Sequence, residues 1–179
     1  MDFRAIDYGA EVARILETDG AGRRPMPLAG SDESSAQGRD ALRRLKARDL
    51  FPLANSPEGA LAGLYLYFSC LDEAHSIAQE LETADGSFWH GIMHRREPDA
   101  GNAGYWFRQV GKHPVFPALR DEAHRLRFDT GREWDPFEFI EFCEAARGRP
   151  GCEEERIAMQ VQLAEWQLLF DHCAREKTR

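Results

Sequence analysis

Segment after segment of this chain repeats its apolar residues at steps of three and four, and no segment alternates apolar and polar residues for long enough to line a β-strand. A chain with that period can bury its apolar stripes only by packing helix against helix. Phe3, Ile6, Ala10, Ala13 and Leu16 give a first helix that stops near Asp19-Gly20. A Gly-, Pro- and Ser-rich connection over 20–35 follows and reads as a mobile loop, because the helix before it is too short to fold alone. A basic helix is expected over 36–48. Ser56-Pro57 then launches a central helix in which Leu64, Phe68 and Leu71 lead in one stripe to His75.

Further helices are expected over 88–97, 102–111, 113–127, 135–148 and 152–176. Their stops and starts are Pro98, Asn102, Gly111, His113-Pro114, Asp135-Pro136 and Gly148. In the last of them Met159, Leu163, Trp166, Phe170 and Cys173 form the apolar stripe, with acids and glutamines assigned to the other faces. The expected fold is therefore an all-α compact bundle of about seven or eight helices, one domain over 1–179. A chain of 179 residues is long enough to bury a sizeable core.

Charge narrows the partners. The net charge of −8 argues against nonspecific binding to nucleic acid or to an anionic membrane, which both need a positive contact field. One basic stretch, Arg39, Arg43, Arg44, Lys46 and Arg48, reads as a solvated helix face. The longest apolar run, 60–71, falls short of the roughly 20 residues that span a bilayer. The N-terminus shows no basic-then-apolar leader, which places the expectation in the cytoplasm. Cys70, Cys143 and Cys173 fall in apolar or helical patterns and read as small buried residues, and Cys152 follows Gly151 in a loop.

Two short motifs fail on context. Asp-Glu-Ala-His occurs at 72–75 and 121–124, but a nucleotide-hydrolysing element would need a phosphate-cradling loop that this chain lacks. Asp129-Thr130-Gly131 matches an aspartic-protease triplet without the β scaffold such a site requires, and reads as a turn after a helix.

Chemistry-bearing residues are densest between 72 and 116. His90 and His94 stand four apart and Glu97 three further, so all three project from one face of a helix. That is metal-ligand spacing, and His75, Glu73 or His113 would supply a third ligand for a divalent ion such as zinc, leaving one position for water. The metal set expected is His75, His90 and His94. The acid of H-E-x-x-H is missing, and Arg95 and Arg96 oppose a cation unless they face away.

A second reading gathers Arg95, Arg96, Tyr105, Arg108 and His113, with Lys112 beside them, as ligands for a carboxylate or phosphate. Helices starting at Asn102 and His113 would add free N–H groups, and Trp89 and Trp106 would stack on a planar ligand. A third reading is structural: Arg95, Arg96, Glu97, Asp99 and Arg108 tie short helices together by internal ion pairs.

The segment GSFWHGIMHRREPD (86–99), continuing through NAGYWFRQVG (102–111) to HPVF (113–116), resembles the hallmark of a family of small uncharacterised proteins. The resemblance covers about 31 residues and implies no activity and no residue roles. The functional expectation from the residues is a metal-dependent hydrolase with a His- and Arg-lined internal pocket. The alternatives are a noncatalytic module for a small anionic ligand and a protein that acts through its contacts.

Overall fold

The computed structural model describes residues 2–30 and 33–176. Among these, ten α-helices and two 3₁₀ segments occur: α1 (Ala10–Leu16), α2 (Ala36–Leu42), α3 (Ala47–Leu50), α4 (Pro57–Tyr67), α5 (Leu71–Ala78), α6 (Ala84–Arg96), α7 (Ala100–Val110), α8 (Phe116–Arg125), α9 (Pro136–Arg147) and α10 (Glu153–Ala174), with 3₁₀ turns at Ala5–Tyr8 and Glu17–Gly22. No strand occurs among the described residues, and one isolated bridge pairs Ala54 with Glu176. The all-α class is as expected, but the count is ten rather than seven or eight.

The two additional helices come from two splits. The basic segment breaks where Lys46 adopts extended backbone and starts α3. The central segment breaks after Tyr67. There Ser69 takes the left-handed φ of 61°, its N–H donates to the Leu66 carbonyl, and the Cys70 N–H donates to the Tyr65 carbonyl. Those two bonds are the Schellman closure of a helix, made here with serine where glycine usually marks the stop. Two arginines complete it. Arg96 Nη1 donates to the Leu66 carbonyl at 2.6 Å and Arg24 Nη2 to the Tyr67 carbonyl at 2.8 Å. Their charges also suit the negative end of the helix dipole.

The core forms around α4 and α10. Trp166 on α10 donates its indole N–H to the Gly63 carbonyl of α4 at 2.7 Å, and a Cβ at Gly63 would sit 2.8 Å from the Trp89 ring of α6. Gly63 therefore lets three helices approach. Gly91 does the same between α6 and α7, where a Cβ would meet Phe107 at 2.8 Å.

The core is not purely apolar. Gln162 and Glu165, assigned by sequence to the solvent faces of the last helix, are 0% exposed. Glu165 receives the Arg95 guanidinium through both oxygens, Nη1 at 3.2 Å, in a contact sealed from water. Gln162 Nε2 reaches the carbonyls of Met26 and Pro27 at 3.1 and 3.0 Å. Within the 20–35 connection Met26 and Leu28 are buried, and the Gly22 carbonyl accepts from Gln167 Nε2. Ser31 and Asp32, within the same expected loop, lie outside the described residues.

The basic stretch is partly neutralised: Arg39 pairs with Glu33, Arg43 with Glu73 and Arg48 with Glu58. Cys152 caps α10, its sulfur accepting from the Glu155 N–H. The Asp129 carboxylate accepts from the Gly131 N–H, as a turn requires. No helix among the described residues is long and apolar enough to cross a membrane.

Candidate metal centre

Thr83 caps α6 by accepting from the Gly86 N–H, so the helix begins four residues before the expected start and carries Asp85 in its first turn. From there His90 and His94 follow on one face, their rings 5.0 Å apart and within 9° of parallel. His75 arrives from α5. Its ring lies 4.6 Å from His90 and 5.6 Å from His94.

The three imidazoles each offer a ligand nitrogen, and these nitrogens lie within 4.8 Å of one another. Zinc at its usual 2.0–2.1 Å from nitrogen would draw a tetrahedral set to roughly 3.4 Å apart, a contraction within reach of side-chain rotation.

His75 reaches the site by a different route from the one its spacing suggested. The stripe from Leu64 to His75 presumed one helix, whereas the chain turns at Ser69 and restarts. The restarted helix buries only Ala74 and Ala78. His75 is accordingly half-buried instead of fully enclosed, while His90 is 2% exposed and His94 9%.

The imidazoles have the chemistry of ligands. His90 Nδ1 and His94 Nδ1 are buried with no hydrogen-bond partner, a costly state for a polar atom that a metal ion would relieve. Burial, with His75 and His94 close by, pulls His90 down to about 4, so it is neutral and able to coordinate at physiological pH. Trp106 stacks on His90, centroids 3.9 Å apart, and holds the ring. Glu97 Oε2 stands 3.0 Å from His94 Nδ1 without forming a hydrogen bond to it, and so acts as a charge neighbour.

The expected anion set is not brought together. Arg95 is spent on Glu165 and lies over the Phe139 ring at 4.5 Å. Arg96, 0% exposed, donates to the Pro27 and Leu66 carbonyls and to the Ser69 hydroxyl. Burial, with Arg24 and Arg95 near, pulls Arg96 down to about 9, which leaves it cationic at neutral pH. Both arginines face away from the histidines, which removes the objection they raised to a cation there.

Tyr105 is 52% exposed, and Arg108 lies over Phe137 at 5.3 Å on the surface. Helix α7 starts at Asp99, not Asn102, and the Asp99 carboxylate already occupies its N-terminus by accepting from the Asn102 N–H.

His113 belongs to a second cluster. Its Nε2 meets Asp85 Oδ1 at 2.9 Å, and His172 Nε2 lies 3.2 Å from the same oxygen. Asp85, His113 and His172 also present ligand atoms within 4.8 Å of one another. The hydrogen bonds argue against a metal here. His113 Nδ1 accepts from the Val115 N–H, so its proton sits on Nε2 and points at Asp85. Binding an ion at Nε2 would put a proton on Nδ1, against the Val115 N–H.

This cluster joins the start of α6, the turn before α8 and the end of α10, three places with no shared local spacing. No pattern of neighbouring residues announces it. Comparison of the chain with protein-family models, with curated proteins and with solved structures gave no match.

Proposed function

We propose that this protein binds one divalent metal ion, zinc foremost, through His75, His90 and His94, and uses it for hydrolysis. The observation that carries the reading is the convergence of three imidazoles from α5 and α6 with two buried, unpartnered ring nitrogens among them. A divalent ion on three neutral ligands acts as a Lewis acid and acidifies water in its open position. His90 is held by Trp106 and kept neutral by burial, His94 has Glu97 beside it, and half-buried His75 marks the side on which water and substrate reach the site.

Cobalt(II) titration of chelator-treated protein tests the binding. Ligand-field absorption of a low-coordinate site should develop to one equivalent and be missing from His90→Ala/His94→Ala. Activated carboxylic and phosphate esters test the chemistry: turnover should vanish with chelator and return with zinc. Cobalt binding without turnover on either ester class would confine the function to metal binding.

A further inference from the structure

Beside His113, the start of α8 and the turn before α9 line a pocket of about 290 Å³. Phe116 and Trp134 supply apolar wall, and Lys112, Arg120 and Arg132 supply positive charge against the carboxylates of Asp121 and Glu133. On a chain of net charge −8 this is a local reversal of sign. Arg120 is already committed, to Asp121 and to the Gly131 carbonyl. Lys112 and Arg132 form no ion pair or hydrogen bond among the described residues. His113 contributes only its ring, since both of its nitrogens are in use.

A second observation points the same way. Trp134 is 5% exposed, and its indole N–H is buried without an acceptor. A buried donor in that state is costly to the fold, and Trp134 is one of the residues that line the pocket. An acceptor group on a ring-bearing ligand would satisfy it from the wall that Trp134 forms.

We propose that this pocket is a binding site for a small organic anion with a flat ring, an aromatic carboxylate in its simplest form. The volume suits one ring and its acid group, below the range of larger ligand sites. Apolar contact comes from Phe116 and from the small exposed part of Trp134, and the carboxylate is drawn by Lys112 and the planar fork of Arg132. The pocket is separate from the three-histidine site and does not depend on it.

The test is a titration of the whole protein with benzoate, benzylamine and inorganic phosphate, following the tryptophan indole N–H signals by NMR, with Trp134 identified through Trp134→Phe. Benzoate should move the Trp134 signal saturably and leave Trp89 and Trp166 in place. The Lys112→Glu/Arg132→Glu variant, altered only at exposed positions and folded by the same spectrum, should raise the benzoate Kd about tenfold or more. Benzylamine should not bind, and phosphate should bind more weakly than benzoate.

No saturable shift with benzoate, an equal response to benzylamine, phosphate binding as tight as benzoate, or an unchanged Kd in the charge-reversed variant would each overturn the proposal. The titration is repeated in chelator and in zinc. Equal affinities are expected, so a failure here is distinguishable from a failure of the metal site.

Discussion

At the scale of single residues, burial decides what each charged or titratable group can do. His90 remains deprotonated in the folded protein down to about pH 4, whereas an unfolded chain takes up that proton near pH 6.5. Between those values the unfolded state binds more protons, so stability rises with pH across the window, is fully present above it and is lost as pH falls through it. Chelator-treated wild type should therefore lose more denaturant resistance between pH 7 and pH 5 than His90→Gln does. Equal losses would mean His90 is not held neutral. The Arg95–Glu165 pair gives a second prediction. Burial pushes the Glu165 carboxyl up while the guanidinium opposes it, and removing one partner strands the other. Glu165→Gln or Arg95→Met should each cost about 3–5 kcal/mol in urea melts, and the double variant Glu165→Gln/Arg95→Met should cost less than their sum. The imidazole spacing on α6 was legible in the sequence because it is local. The inward direction of Arg95 and Arg96 was one of three readings the residues allowed, and their partners on α10 and α4, 70 and 30 residues away, could not be named from local spacing.

At the scale of elements, the sequence announced boundaries marked by a proline, a glycine or a capping acid. Asp135 caps α9 through the Phe137 and Glu138 N–H groups as its pattern predicted, while the end of α4 was missed because Ser69, not glycine, takes the left-handed turn. That turn brings His75 to the site, so the agreement between expected and observed neighbours there rests on a helix phase that the chain does not keep. The packing of α4 and α6 can be tested directly. Leu64→Ala, at a position with no exposure, should cost about 2–5 kcal/mol. Gly91→Val should cost about 1–3 kcal/mol by forcing Phe107 away from α6; a melt within about 0.5 kcal/mol of wild type, the range of an ordinary surface change, would mean α6 and α7 are not held at that distance.

At the scale of the whole molecule, one contiguous apolar cluster runs from Phe3 to Cys173, and five of the six histidines gather in two clusters beside it. The clusters look alike as lists of ligands and differ as hydrogen-bond networks. In the first, two buried ring nitrogens await a partner; in the second, Asp85 and the Val115 N–H already use both nitrogens of His113. Composition and charge could bound the class of the fold, but this difference depends on residues brought together only by folding. The decisive measurement is zinc stoichiometry by equilibrium dialysis of purified protein, at pH 7.5 and again at pH 5.5. Wild type and Asp85→Asn/His172→Gln should each retain one ion at the higher pH, His90→Ala/His94→Ala should retain none, and retention should weaken at the lower pH, where protons compete with the ion for its ligands. Retention unchanged in His90→Ala/His94→Ala, loss in Asp85→Asn/His172→Gln alone, or no zinc on the wild-type protein would contradict a metal centre at His75, His90 and His94.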